Sequence, residues 1–433
     1  MPAWYDAVVW VVLAAFSTLN LLLLLSRSER AGRARRWVGR TVHRFLGPDA
    51  GSSLDWRPLL VVAAVAFAVV SAIGIGSGQY GCVGGGSDAV TILHSGQAVW
   101  MGQNPFLVPE CHHMRMVPYG FASVLLTAVG SLAGLPGVYA LWGAVALALI
   151  PLTWAVAGPD RRFITLYVAT SALFIPIAFW QIDGLTNAIV PVAVLLSLYL
   201  ASRNAELLAA IVGGFVATAR FPSLLPILGE TGAFPRRRAL SFGVAVAVFG
   251  AFTAASYGLW GSEFLTVVFF HQFGVRTFSL NLYGILLLTN ALPAGPGIEA
   301  VQAVLTVALL IAVLGTVRSP VASAAILLVG FALVTPFLSY NILIWLLPVA
   351  LLGVRPQWWL WGIALVGSLN YELALNVWAW ADGVSWPSMV FDVALTVLLL
   401  GLFVELWRQE WAARGGRART VRPDLAPVPP GTP

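Results

Sequence analysis

Charged residues are scarce in this sequence, and their scarcity excludes an ordinary soluble domain. Asp, Glu, Lys and Arg make up 10% of the 433 residues, whereas soluble globular proteins carry about 25%. Hydrophobic residues fill 59% of the chain, and its 18 Trp and 23 Phe suit many boundaries between membrane and water. The composition therefore predicts an all-α polytopic membrane protein whose apolar helices cross the bilayer.

Two further absences exclude other readings. No basic segment precedes the apolar stretch Trp10–Leu25 and no small-residue cleavage site follows it, which predicts a first membrane helix rather than a cleavable signal peptide. The chain has only two cysteines, and Glu110–His113 lacks a second pair of ligands at zinc spacing. We therefore predict no required metal and no other cofactor.

Arginine clusters between the apolar stretches orient the chain. The densest cluster, Arg27–Arg44, marks the cytoplasmic side, because cytoplasmic loops carry the excess of basic residues. The net charge of +6 is therefore interpreted as a topology signal rather than as nucleic-acid binding. Within this cluster, Arg30–Leu46 is either a helix lying on the lipid surface or a solvated basic linker.

The same signals predict one integral unit with roughly 11–13 transmembrane helices. Residues 1–56 hold the N-terminal helix and the basic segment, and residues 57–407 form the main transmembrane unit. Residues 408–433 are a basic, proline-rich cytoplasmic tail that is predicted to be disordered.

The stretch Gly78–Pro118 is predicted to be the first large extracytoplasmic loop, because it is polar and glycine-rich between two apolar runs. Within it a helix is predicted from Ser87 to Met101, with Asp88 in its first turn and Gly102 at its end. We expect this helix to lie on the outer membrane surface. Asp88 is either a catalytic carboxylate or a plain capping residue.

Two apolar segments are predicted not to cross the membrane. Pro118–Leu132 is short and suits a partly inserted helix. Leu207–Gly229 is interrupted by Arg220-Phe221-Pro222, which predicts a hairpin of two half-length helices with Arg220 at its outer tip. A single crossing would cost a few kcal/mol for the charge and would place the basic cluster Arg236–Arg238 outside.

With this topology, ionisable residues other than the arginine clusters gather at the extracytoplasmic face. Such a gathering marks a candidate site, although outer loops also collect polar residues without any function. A transporter instead predicts charges near the middle of several spans, and those are nearly absent. The outward-facing set is Asp88, Glu110, His112, His113, Arg115, Asp183, Arg220, Glu263, His271, Arg276 and Asp382.

Four segments together carry a resemblance. The run Asp88–Phe106 resembles the first external loop of the C-type membrane glycosyltransferases (GT-C), and more closely that of the polyprenol-phosphate-mannose-dependent mannosyltransferases of the actinobacterial envelope. Trp180–Asn187 resembles the family's Gly-Gln-x-Asn turn, with Trp in place of Gly. Arg220–Pro222 resembles its Lys-x-x-Pro, and Thr335–Asn341 resembles its Ser-Pro-x-Ser-Trp-x-His, with Asn in place of the final His.

The resemblance implies a GT-C-like bundle with surface helices in the first large loop, and an enzyme in the cell membrane with its site outside the cytoplasm. It implies transfer of a sugar, most simply mannose, from a polyprenyl-phosphate donor to a lipid-linked or envelope glycan. The alternative is a transporter or flippase of lipid-linked sugars. Asp88 is the expected general base. The donor-phosphate candidates are Arg220, Arg276, His271 and Gln272, and the candidate sugar or acceptor contacts are Trp100, Gln181, Asp183, Asn187, Tyr283, Tyr340 and Asn341.

The two cysteines give a separate expectation. Cys82 and Cys111 both fall on the predicted outer face, where disulfides persist. A bridge between them would close the loop around Asp88 and stabilise it by roughly 3 kcal/mol. The alternative is two free thiols.

Overall fold

The computed structural model describes residues 3–25, 56–76, 87–107, 120–157, 161, 163–170, 186–266, 268, 296–335, 342–354, 357–372 and 386–414. Over these ranges the chain is almost entirely helical and contains no β-strand. The predicted all-α class is therefore confirmed for the described part of the protein.

The helices are numbered in chain order. They are α1 (Ala3–Leu25), α2 (Trp56–Gly76), α3 (Ser87–Trp100), α4 (Phe121–Ser131), α5 (Gly134–Leu147), α6 (Leu149–Val156), α7 (Ile189–Ser202), α8 (Glu206–Ala217), α9 (Leu224–Thr231), α10 (Arg238–Trp260), α11 (Ser262–Leu265), α12 (Pro296–Thr316), α13 (Pro320–Val334), α14 (Ile342–Gly353), α15 (Trp358–Glu372) and α16 (Trp386–Arg414).

Three of the described stretches are long and apolar enough to cross a membrane. They are Gly134–Val156, which comprises α5 and α6, Arg238–Trp260, which is α10, and Val390–Arg414 within α16. Shorter apolar helices of 10–17 residues accompany them. These features are those of a helical membrane protein, whereas the count of 11–13 spans and the orientation stay predictions.

Helices α7 and α13 form the centre of the bundle. Nine of the 14 residues of α7 are buried, and α13 is buried from Ala322 to Ala332. α13 packs against α9, α12, α14 and α16, while α7 packs against α6, α8 and α14. The start of α13 is fixed by Ser319, whose hydroxyl accepts the backbone N–H of Ala322 at 3.3 Å.

The first helix belongs to the same bundle. α1 packs along α15, and the Ser17 and Ser368 hydroxyl groups lie 3.3 Å apart. The Tyr167 hydroxyl donates a hydrogen bond to Oδ1 of Asn20 at 2.6 Å. These buried polar contacts join α1 to two later parts of the chain and fix its position along the helix axis.

The last helix is longer than the sequence predicts. The chain is still helical at Arg408, where the disordered tail was expected to begin, and it continues to Arg414. The Arg408 guanidinium donates to Glu405, three residues earlier, at 2.7 Å, a spacing that supports helices. Glu410 accepts the backbone N–H of Arg318 at 3.0 Å, so this end of α16 is tied to the turn between α12 and α13.

Candidate functional site

The predicted hairpin is confirmed and organises one end of the molecule. Helix α8 has 12 residues and α9 has 8, so neither is long enough to cross a bilayer core of about 30 Å at 1.5 Å per residue. Between them, Arg220 is extended and residues 221–223 form one turn of 3₁₀ helix. Pro222 favours this break, because it lacks an N–H for the helical ladder and is tolerated only in the first turn of a helix, which is where it lies in the 3₁₀ turn.

The two ends of the hairpin meet at its base. The carboxylate of Glu206, the first residue of α8, accepts the backbone N–H groups of Arg236 and Arg237 at 3.2 and 2.8 Å. These arginines follow the end of α9. The chain therefore leaves the hairpin where it entered, and the basic cluster stays on the side of Glu206.

Arg220 lies buried at the hairpin tip, against the beginning of α7. Its Nη2 donates a hydrogen bond to Oγ1 of Thr186 at 3.2 Å. Thr186 lies three residues before the first residue of α7, in a turn that is itself helical. The guanidinium favours an anion such as phosphate, whose oxygens match the planar donor fork of arginine.

The same place joins two of the sequence segments that carry the resemblance to a residue that follows another of them. Asn187, the last residue of Trp180–Asn187, is fully buried, and its Oδ1 accepts a hydrogen bond from Nε1 of Trp345 at 2.7 Å. Trp345 lies in α14, four residues after the end of Thr335–Asn341, and Arg220 belongs to the third segment. Segments separated by more than 30 residues therefore converge on the start of α7.

The beginning of α4 is fastened to the hairpin tip. The backbone N–H of Gly120 donates to the carbonyl of Ala219 at 3.0 Å, and the Ser123 hydroxyl donates to the same carbonyl at 3.1 Å. The N–H of Ala122 donates to Oγ1 of Thr218 at 3.2 Å. A Cβ atom at Gly120 would lie 1.8 Å from the Thr218 carbonyl oxygen, so only glycine permits this approach.

Helix α3 occurs where the sequence predicts it, with Asp88 as its second residue. Its packing partner α4 has 11 residues, which confirms the short helix predicted there. Gly96 faces Ser131, while Val99 packs in a cluster with Val124, so the two helices run in opposite directions. Asp88 lies at the other end of α3 from Trp100, about 18 Å away along the axis at 1.5 Å per residue.

The structure does not bring Asp88 into a described contact with Arg220. It is the C-terminal end of α3 that packs near the N-terminal half of α4, the half fastened to the hairpin tip. The side chain of Asp88 itself lies outside the described part of the structure. Its role as general base stays a prediction.

Trp100 is exposed, and its Nε1 donates to the carbonyl of Ala128 at 2.7 Å. This bond holds the indole against α4, with one ring face open to the surroundings. The remaining site candidates fall outside the described residues: Gln181, Asp183, His271, Gln272, Arg276, Tyr283, Tyr340 and Asn341, together with Cys82 and Cys111.

A cleft that the sequence reading missed opens beside the C-terminal end of α3. It has a volume of about 460 Å³, and we call it the α3 cleft; its lining residues are His94, Gln97, Ala98, Met101, Gln103, Asn104 and Leu107. The spacing of His94, Gln97 and Met101 by three and four residues is the signal that places them on one helix face. The sequence prediction for this helix centred on Asp88 and did not include that face.

Metal ligands do not cluster in the described ranges: no group of three His, Cys, Asp or Glu side chains there could hold an ion. The segment Glu110–His113 lies outside those ranges. No protein-family model matches the chain, and no curated protein matches it at a significant level. The case for a function therefore depends on the residues and geometry above.

Proposed function

We propose that this protein is a multi-pass membrane glycosyltransferase that acts on the extracytoplasmic side. It transfers a sugar, mannose in the simplest case, from a polyprenyl phosphate to a hydroxyl group of a lipid-linked or envelope glycan. Asp88 is the general base, and Arg220 binds the phosphate of the donor. The apolar surface between helices receives the prenyl tail.

The observation that carries this proposal is the convergence at the hairpin tip. Arg220, Thr186, Asn187 and Trp345 come from three distant segments and meet at the start of α7. The Arg220 guanidinium is a planar donor fork that matches the oxygens of a phosphate. Beside a phosphate that leaves during the reaction, it stabilises the charge that develops.

The proposed chemistry uses the two groups in different ways. The Asp88 carboxylate takes the proton of the acceptor hydroxyl as its oxygen forms a bond to the anomeric carbon. The bond between that carbon and the phosphate oxygen breaks, and the phosphate keeps the electron pair. Arg220 stabilises the charge that develops there, which requires the first turn of α3 to lie beside the hairpin tip when the donor is bound. Direct displacement of this kind inverts the configuration at the anomeric carbon.

The test uses purified full-length protein in lipid nanodiscs with a panel of polyprenyl-phosphate sugars and a glycolipid acceptor extract. We expect release of polyprenyl phosphate with one donor, and a loss of 10²- to 10⁴-fold in kcat for Asp88→Asn, roughly the contribution of a general base. Glu263→Gln, which neutralises a carboxylate on α11, is the matched control and should keep full activity.

Two results would count against the proposal. Release of polyprenyl phosphate by Asp88→Asn at the wild-type rate would remove the assigned base. Movement of a lipid-linked sugar across a vesicle membrane without any transfer, undiminished in Asp88→Asn, would identify a transporter instead.

A further inference from the structure

The α3 cleft differs in chemistry from the hairpin tip. Among the described residues that line it, none is Arg, Lys, Asp or Glu, and His94 is the one histidine. Gln97 and Gln103 offer planar amides that both donate and accept hydrogen bonds. Met101 and Leu107 are strongly exposed apolar side chains at its edge. The cleft is thus neutral, with hydrogen-bonding and apolar parts side by side.

The wall of the cleft is held in place by contacts on its far side. Nδ2 of Asn104 donates to the carbonyl of Trp260 at 3.0 Å, and its Oδ1 accepts the N–H of Phe106 at 2.9 Å. The Phe106 ring packs against Trp260 and Phe264 with centroids 5.4 and 5.6 Å apart. Asn104 is therefore occupied in fixing the loop, and the cleft is preformed.

The turn that starts this loop is equally defined. Gly102 has a φ of +68°, a left-handed conformation that glycine adopts without a steric penalty. It carries the chain from the end of α3 into the loop, so that Gln103 lines the same cleft as Gln97. Among the described residues, no hydrogen bond ties up the side chains of His94, Gln97 or Gln103.

We propose that the α3 cleft binds a neutral, hydroxyl-rich saccharide. Amides match neighbouring hydroxyl groups in pairs, and the apolar edge suits the carbon face of a sugar ring. The volume of about 460 Å³ falls within the range of small-molecule sites, roughly 300–1,000 Å³. A phosphate group is disfavoured, because no Arg or Lys is among the described residues that line the cleft.

Identifying this saccharide as the acceptor rests on the proposed function. His94 and Gln97 follow Asp88 by six and nine residues, about 9 and 14 Å along α3. The cleft therefore holds a sugar unit beyond the one that reacts. The binding itself requires no catalysis, so it is measured separately from transfer.

The experiment measures binding to the full-length protein in nanodiscs, by saturation-transfer proton NMR for α-1,2-mannobiose and maltose and by phosphorus-31 line broadening for inorganic phosphate. We expect millimolar binding of at least one disaccharide, none of phosphate, and a loss of at least 10-fold in affinity for Gln97→Ala/Gln103→Ala. Gln409→Ala, which truncates an amide on α16, is the matched control and should bind as the wild type does.

A second variant guards against a folding artefact. Asn104→Ala should weaken binding and also lower the melting temperature, whereas the double glutamine variant should weaken binding at an unchanged melting temperature. Disaccharide binding unaffected by the double variant, or no binding of either disaccharide, overturns the inference. If the wild type binds a disaccharide, the double variant does not, and neither transfers a sugar, the saccharide site in the cleft is supported and the proposed function is wrong.

Discussion

At the scale of single residues, Arg220 links two segments of the chain that lie far apart in the sequence. Its position at a break in an apolar segment follows from the neighbouring proline, so the tip of the hairpin was predictable. Its neighbour Thr186 was not, because the two lie 34 positions apart and no periodic pattern links them. Only the packing of α7 against the hairpin brings the guanidinium to Thr186.

A conservative change at this residue tests its contact with phosphate. In the transfer assay, Arg220→Lys should lower kcat/KM about 10- to 100-fold, mainly through the donor KM, because lysine keeps the charge without the planar fork. Arg220→Gln should lower it further. Arg203→Lys, in the exposed turn after α7, serves as the control. Equal loss of stability in both Arg220 variants with an unchanged donor KM would assign the residue a structural role only.

A glycine on α3 controls the closest approach between two helices. A Cβ at Gly96 would lie 2.6 Å from the Thr127 carbonyl oxygen and 2.8 Å from Cβ of Ser131. Since a backbone carbonyl cannot move away easily, Gly96→Ala should destabilise the protein by about 1–3 kcal/mol. Thermal unfolding in detergent measures the effect.

The matched control for that substitution is Gly250→Ala. Gly250 is also helical, but open space surrounds the position of its missing Cβ. Alanine there should be neutral or should raise stability by up to about 1 kcal/mol, since it favours the helix over the unfolded chain. Equal effects at both glycines would show that the α3–α4 contact is looser than described.

At the scale of elements, the sequence predicts most helices within a few residues. The predicted spans Pro58–Ile75, Leu240–Trp260 and Val321–Val334 correspond to α2, α10 and α13, because long apolar runs bounded by arginine, glycine or proline leave little choice. The end of α16 was less predictable. Its helix is prolonged by charged pairs and by the contact of Glu410 with Arg318, which apolarity alone does not reveal.

The base of the hairpin supplies a paired prediction. Glu206→Ala should lower stability by about 1–3 kcal/mol, because the backbone N–H groups of Arg236 and Arg237 lose their acceptor. Glu230, on α9, is fully buried, and its carboxyl group lies beside the Ser197 side chain without a well-aligned hydrogen bond among the described residues. Glu230→Gln should therefore leave the melting temperature unchanged or raise it.

Melting curves of the two variants in the same detergent provide the comparison. The Glu206 variant should also become more sensitive to protease in the turn that follows α9, since the carboxylate that holds the backbone of Arg236 and Arg237 is missing. A larger loss of stability for Glu230→Gln than for Glu206→Ala would mean that the Glu230 carboxyl is the important partner, contrary to the geometry.

At the scale of the whole molecule, composition predicts the class, but it does not predict which helices are central. α7 and α13 are surrounded on every side, whereas α10 is long, apolar and largely exposed. Their sequences are similarly apolar, so no periodic pattern distinguishes a helix that faces lipid from one that faces protein. The contacts between distant segments at the start of α7 likewise could not be predicted from the sequence, because they depend on how the helices pack.

Sidedness is the main untested expectation at this scale. In a Cys82→Ser/Cys111→Ser background, Gln103→Cys should react with a membrane-impermeant maleimide in intact cells. Arg203→Cys should react only after the membrane is opened. The reason is that the arginine clusters place the turn after α7 in the cytoplasm and α3 outside. The opposite pattern of labelling would invert the topology and remove the site from the donor's side.

The meeting of both hairpin ends at Glu206 has a consequence for how such a chain can evolve. A segment that enters and leaves through the same leaflet adds no membrane crossing. Gaining or lengthening such a segment therefore leaves the membrane orientation of every later helix unchanged. An ancestral protein could therefore gain a hairpin with a buried arginine at its tip without any change in the orientation of the helices that follow.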